Sequence, residues 1–239
     1  MRVNTFSSPQ SIVDDSFTIK NHYVIVIYAL RATSVITTAL ANGAKGVIPV
    51  MEIDEAVRLY QTLGADMALL CGERDGNPIS GFHLGNSPSE YTNHAIGGKT
   101  LIMTTTNGTR AIHAAANATV LALGCMLNTS AVAADANRSG MDVTLLCAGT
   151  RGRFTIDDIL AAGAIIDMLD TAPNRMDDLS IICNDYYRLH EGDLMGGLAD
   201  CSHARYLTDA GYGADVAYCM QKDCLSAVPY YEKGLVRLL

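Results

Sequence analysis

The chain has 239 residues, of which 49% are hydrophobic and 18% charged, with a formal net charge of −8. That is enough chain and apolar content for one substantial globular core. The acidic balance excludes the basic footprint of a nucleic-acid binder, and no apolar run approaches the roughly 20 residues that a membrane helix needs.

Seven cysteines form no C-x-x-C pair, and most lie in apolar segments such as Leu145-Leu146-Cys147. This is the pattern of reduced, buried thiols. The first residues, Met-Arg-Val-Asn-Thr-Phe-Ser-Ser, lack an apolar signal core, so a cytoplasmic protein is expected.

In chain order, Val3 to Phe6 predicts a short strand, followed by a polar connection containing Pro9, Asp14 and Asp15. Val24-Ile25-Val26-Ile27 is a β-branched run without alternation, which suits a parallel strand buried on both faces. Arg31, Thr33 and Ser34 follow it, before a helix expected from Val35 to Ala41. A cation and two hydroxyls at the carboxyl end of such a strand, beside a helix N-terminus, predict one wall of an anion site.

Gly46 to Val50 predicts the next strand, and Ile53 to Leu63 an amphipathic helix. Met67 to Cys71 predicts a strand running into Gly72-Glu73-Arg74-Asp75-Gly76 and a long polar connection to Asn86. Ser87-Pro88-Ser89-Glu90 has the form of a capping box with proline at the first helical position, and so predicts a helix start.

The pattern then recurs. Lys99 to Thr104 predicts a strand followed by Thr105-Thr106-Asn107-Gly108-Thr109-Arg110 and a helix. Thr119 to Leu123 predicts a strand, and Thr129 to Asn137 a helix. Val143 to Cys147 predicts a strand followed by Ala148-Gly149-Thr150-Arg151-Gly152-Arg153 and a helix from Ile156 to Leu169. Beyond Pro173 the strand signal fades, and segments 177–189, 194–207 and 214–224 read as helical or mixed. No linker divides the chain, so residues 1–239 are expected to form a single α/β domain with a helical C-terminal region.

Each chemistry-bearing turn has two readings. Residues 105–109 have the hydroxyls, amide and glycine backbone of a phosphate cradle, or are an ordinary strand-to-helix turn. Arg151 or Arg153 is either an oxyanion clamp or solvated. Glu73, just past a strand end, and Asp157 and Asp158, which open a helix after another strand, are candidates to share Mg²⁺. Thr155-Ile156-Asp157-Asp158 also fits a helix cap.

Together, Leu30-Arg31-Ala32-Thr33-Ser34, Gly72-Glu73-Arg74, Gly81-Phe82 with Gly85-Asn86-Ser87-Pro88, Thr105-Thr106-Asn107-Gly108-Thr109, and Ala148-Gly149-Thr150 with Asp157-Asp158 resemble the ordered motifs of the 2-phosphosulfolactate phosphatase family. The resemblance covers roughly residues 24–165. It implies a three-layer α/β/α fold with a largely parallel or mixed sheet. It also implies Mg²⁺-dependent hydrolysis of (2R)-2-phospho-3-sulfolactate to 3-sulfolactate and phosphate, a step of the coenzyme M type.

Under that resemblance Arg31, Glu73 and Asp158 are catalytic, and Glu73, Asp157 and Asp158 hold the metal. Thr33, Ser34, Arg74, Asn86, Ser87, Thr105, Asn107, Gly108, Thr109 and Arg151 bind a small anionic substrate. No nucleic-acid or membrane partner is expected, and a homodimer is the base-rate expectation. One position departs from the family pattern: Tyr28 stands where an Asp is usual. Mg²⁺ prefers carboxylates to a neutral phenol. The alternative is therefore a catalytically impaired or repurposed member that binds a phosphorylated or sulfonated hydroxy acid.

Overall fold

A computed structural model describes residues 1–14 and 17–239. The first third comprises β1 (Val3–Phe6), α1 (Pro9–Asp14), β2 (His22–Ile27), α2 (Ala32–Ala41), β3 (Gly46–Pro49), α3 (Ile53–Leu63), β4 (Ala68–Arg74) and the short β5 (Asn77–Pro78). Next come α4 (Asn93–Ile96), β6 (Thr100–Thr104), α5 (Gly108–Ala114), β7 (Val120–Gly124), α6 (Thr129–Ser139), β8 (Asp142–Cys147) and α7 (Ile156–Ile166). The C-terminal region holds α8 (Asp178–His190), α9 (Leu194–Gly197), α10 (Ser202–Leu207), α11 (Gly213–Cys219) and a hairpin of β9 (Tyr230–Glu232) and β10 (Leu235–Arg237).

Four local expectations change. The connection after β1 is wound into α1 from Pro9, whereas Asp15, assigned to the same connection, lies outside the described residues. Helix α2 begins at Ala32, so Thr33 and Ser34 lie within its first turn rather than ahead of it. The capping-box sequence at Ser87 starts only one 3-10 turn, Pro88–Glu90, and the Ser87 side chain does not cap it. The largest difference is the C-terminal hairpin, which lies inside the sheet although its segment carries little strand signal.

The strands form one ten-stranded sheet in the order β1-β8-β2-β7-β9-β10-β3-β6-β4-β5. Two all-parallel groups, β1-β8-β2-β7 and β3-β6-β4, are joined through the antiparallel hairpin. Each joint is a single residue pair, Ala122 with Tyr230 and Val47 with Val236. Because β7, β9, β10 and β3 alternate in direction, the two groups run opposite ways along the ladder. A flat sheet would put their carboxyl ends on opposite edges. Instead Asn107, after β6, donates to the hydroxyl of Tyr28, after β2, so the ladder bends sharply at the hairpin.

The bend encloses a shared core. Val24, Val26 and Leu121 of the first group pack with Val47, Leu101 and Met103 of the second, around Val35 and Ile36 of α2 and Ile112 of α5. Burying each such Val, Ile or Leu side chain contributes about 1.5–3 kcal/mol. On the other face of the first group lie α6, α7 and the C-terminal helices, and α3 covers the second group. The expected α/β layering with a C-terminal helical region holds.

Helices α7 and α8 pass almost in contact. A Cβ on Gly163 would stand 2.0 Å from the carbonyl oxygen of Cys183, so only glycine fits there. All seven cysteines are free and only Cys224 is exposed. Among the described residues, no helix is long and apolar enough to cross a membrane.

Candidate active site

Where the carboxyl ends of β2, β4, β6 and β8 converge, the chain encloses a cleft of about 560 Å³. One wall is Tyr28, Leu30 and Arg31. Glu73, Asn86 and Asn107 face it from the second strand group, and the loop 150–155 with His203 and Tyr206 of α10 completes it.

The turn hydroxyls are not part of that wall. The Thr33 hydroxyl accepts from the backbone N–H of Tyr28 at 3.0 Å, and that of Ser34 donates to the Ala29 carbonyl at 2.7 Å. In the 105–109 turn, Oγ1 of Thr105 accepts from the N–H of Thr109 at 3.0 Å, and the Thr109 hydroxyl donates back to the Thr105 carbonyl. Short hydroxyl side chains readily satisfy their own backbone in this way. A Cβ on Gly108 would meet that of Ala32 at 2.7 Å, so this glycine permits α5 to approach α2. Ser87 donates to Asp215 at 2.6 Å. Thr33, Ser34, Ser87, Thr105, Gly108 and Thr109, expected to bind substrate, are thus not among the cleft-lining residues, and each holds a turn or a neighbour.

The arginines divide in a similar way. Arg74 donates to the carbonyls of Glu73 and Met51 and to the Thr104 hydroxyl, and it braces the strand ends away from the cleft. Arg151 lies exposed at the mouth, 3.5 Å from Asp75. Arg31 lines the cleft while only 2% exposed. Its Nη1 pairs with Asp215 at 2.5 Å, its Nη2 donates to the Gly76 carbonyl at 3.1 Å, and the Tyr212 ring covers it at 4.0 Å.

Glu73 is a residue of β4 rather than of a loop, and it is buried against the cleft. Its Oε1 accepts from the N–H of Thr106 at 2.7 Å, and its Oε2 from the N–H of Gly76 at 2.7 Å and the Thr106 hydroxyl at 3.0 Å. Asp157 and Asp158 are fully buried in the first turn of α7 and are not among the cleft-lining residues. Asp158 accepts from the N–H groups of Ala29 and Gly149, at 2.8 and 2.9 Å, and so ties β2 to β8. Burial, and next the charge of Asp157, push its pKa up. Among the described residues, no group of three His, Cys, Asp or Glu side chains is disposed to hold a metal ion.

Asp157 instead backs a histidine. Nδ1 of His203 lies 3.4 Å from its Oδ2. The imidazole stacks on the Tyr28 ring, with centroids 5.9 Å apart and planes 13° from parallel. Burial works to lower the His203 pKa, but the hydrogen bond and charge of Asp157, with Asp158 behind it, outweigh this and raise it. Tyr28 moves upward too, through burial first and then the charge of Glu73, and its phenol stays neutral.

Three buried side-chain atoms among the described residues lack any hydrogen-bond partner: Oδ1 of Asn86 and Oγ1 of Thr150 and Thr155. All three residues line this cleft. Buried polar groups in folded proteins are nearly always satisfied, so three orphans in residues around one cleft point to a place that suits a polar ligand.

Sequence reasoning missed His203, Tyr206, Tyr212 and Asp215, all from the C-terminal helices. A lone histidine in Cys-Ser-His-Ala carries no spacing signal, and Asp215 meets Arg31 across 184 positions.

The sequence matches the family model described as 2-phosphosulpholactate phosphatase over residues 7–234. It is 45% identical over 238 residues to a protein of Caldanaerobacter subterraneus subsp. tengcongensis, covering 99% of this chain and 98% of that one. It is 40% identical over 236 residues to one of Clostridium acetobutylicum, covering 98% and 99%. Each relative bears the name probable 2-phosphosulfolactate phosphatase.

Proposed function

The chain belongs to the 2-phosphosulfolactate phosphatase family, and from that premise we propose that it hydrolyses the phosphate ester of 2-phospho-3-sulfolactate, releasing sulfolactate and phosphate, as in coenzyme M biosynthesis. The observation that carries this reading is that Asn86, Thr150 and Thr155, the three among the described residues with a partnerless buried polar atom, all line the cleft. A substrate with a phosphate, a sulfonate and a carboxylate needs several hydrogen-bonding groups around one cavity.

Mg²⁺ takes one or two carboxylates and fills its octahedron with water and phosphate oxygens. Glu73, a buried carboxylate on the cleft wall, fits such an ion and is the residue that would hold it. Asp157 and Asp158 do not fit, because they turn to His203 and to backbone N–H groups. When bound, Mg²⁺ neutralises charge on the phosphoryl oxygens.

The remaining chemistry falls to side chains. Arg31 orients the phosphate with the N–H groups that Asp215 and Gly76 leave free, and Asn107 holds the Tyr28 hydroxyl at its edge. As water adds to phosphorus, the bond to the C2 oxygen of sulfolactate breaks and that oxygen needs a proton. His203 supplies it from Nε2, the ring nitrogen opposite the one held by Asp157, and is reprotonated by the proton that the attacking water gives up.

The presence of Tyr28 in place of the family's usual Asp favours one other reading, an anion-binding member with little turnover. Measuring phosphate release from phosphosulfolactate, with Mg²⁺ or with EDTA, for wild type and Tyr28→Asp, separates the two. Metal-dependent wild-type turnover is expected, and turnover by the variant alone would establish the binding reading.

A further inference from the structure

Arg31 is held in an unusual way for a residue expected to grip an anion. Its guanidinium is buried and meets a buried carboxylate, Asp215, whose side chain is 9% exposed. The contact is not a two-bond fork. Oδ2 of Asp215 takes only Nη1 of Arg31, at 2.5 Å, while Oδ1 accepts from the Ser87 hydroxyl at 2.6 Å. Nη2 of Arg31 donates one hydrogen to Gly76, and the Tyr212 ring lies against the guanidinium. An arginine has five N–H donors, and two are taken here. The other three have no acceptor among the described residues, and the residue lines the cleft.

We propose that Asp215 is a positioning residue: anchored by Ser87, it fixes the plane of the Arg31 guanidinium so that free N–H groups of Arg31 are presented to an anion in the cleft. The single-oxygen contact is what makes this possible. A forked pair would occupy a second N–H group of Arg31 and, with the bond to Gly76, leave only two for an anion. Tyr212 blocks rotation on one face, and Gly76 pins the far nitrogen. The C-terminal helices therefore direct a residue that the β2–α2 turn supplies.

This inference rests on the reading of the cleft as the phosphate site, so its test has a part that does not need turnover. Arg31→Gln, Asp215→Asn and the double variant are compared in kcat and KM for phosphosulfolactate and, separately, in the binding of inorganic phosphate by calorimetry. Misplacing a binding group by about 1 Å costs on the order of 100-fold, and Asp215→Asn is expected to lower kcat/KM by about 10- to 100-fold. The double variant is expected to be no worse than Arg31→Gln, because a residue that acts only through Arg31 has nothing left to position.

Asp215→Glu is expected to recover part of the loss, and phosphate binding to show the same non-additivity. Independent, additive losses in both assays would overturn the proposal, as would an Asp215→Asn protein with wild-type constants. A wild type that binds phosphate with the expected non-additivity but does not turn over would reject the phosphatase reading and leave the positioning role standing. If Asp215→Asn does not fold, Ser87→Ala removes only the anchor. It is expected to give a smaller loss, again absent in the Arg31→Gln background, and an undiminished activity would count against the proposal.

Discussion

Replacing Glu73 by Gln removes a charge and almost no volume, so its effect reports the hydrogen bonds that the carboxylate receives. Two backbone N–H groups and one hydroxyl converge on Glu73, at 2.7, 2.7 and 3.0 Å. A glutamine has one oxygen. If it serves the N–H of Thr106, its own NH₂ faces the N–H of Gly76, donor against donor. The Thr106 hydroxyl can reverse and accept from the amide, but the Gly76 N–H cannot. One orphaned N–H costs about 1–3 kcal/mol, and the loss of charge-assisted character in the other bonds adds to it. The expected destabilisation is about 2–4 kcal/mol.

At about 2–4 °C of melting temperature per kcal/mol for a chain of this size, Glu73→Gln should melt roughly 4–16 °C lower. Scanning calorimetry in EDTA reads this without interference from bound cation. The same variant should lose its Mg²⁺ response, with phosphate release falling by about 100-fold or more, the scale at which electrostatic groups act in transition states. A variant that melts within a degree of wild type would refute the hydrogen-bond account. Undiminished Mg²⁺-dependent turnover would refute the cation assignment.

Three further outcomes are expected. Because the His203 pKa is raised, stability from the imidazolium–Asp157 pair is full below the ordinary value near ~6.5 and is lost as pH rises through the raised value. A proton donated from His203 follows the same sign. Asp157→Asn should therefore shift the alkaline fall of kcat/KM to lower pH, and an unmoved profile would remove His203 from the chemistry. Tyr28→Asp introduces a carboxylate where Glu73, Asp158 and Asp157 already repel a phenolate. Its melting temperature in EDTA should drop, and Mg²⁺ should raise it more than it raises that of wild type; equal shifts would argue against a cation here. Gly163→Ala drives a methyl against the Cys183 carbonyl, so urea unfolding should show a loss of about 3 kcal/mol, and a neutral result would contradict the close passage of α7 and α8.

Much of the sheet was legible because a parallel strand buried on both faces has a distinctive sequence. Val24 to Ile27 could hardly be anything else. The position of Glu73 at a strand end, and those of Arg31, Asn86 and Asn107 on the cleft, also follow from the rule that ligands gather at carboxyl edges. What sequence could not reveal is the direction in which a short side chain turns. Thr33, Ser34, Thr105 and Thr109 have the chemistry of an anion cradle, but their hydroxyls close their own turns. Asp158 has the chemistry of a metal ligand, and in the fold its two oxygens accept the N–H groups of Ala29 and Gly149 and clasp two strand ends. His203, which lines the cleft, and Asp215, which holds Arg31, come from helices whose own periodicity says only that they are packed. Their meeting with Tyr28 and Arg31 is a product of the whole fold, and no local window contains it.

The seam between the two parallel strand groups has a consequence for how the molecule is assembled. The second group, β3-β6-β4, closes within residues 46–104 and can gather its own apolar side chains early, whereas the first pairs residues 3–27 with 120–147 and closes around it. Their union must wait for residues 230–237, which pair backward with Val47 on one side and Ala122 on the other. Such long-range pairing adds loop-closure entropy and slows the step that depends on it. The cleft draws walls from both groups, so anion binding should appear late in refolding, in step with burial of Tyr230 and Val236 and well after most of the helical signal has returned.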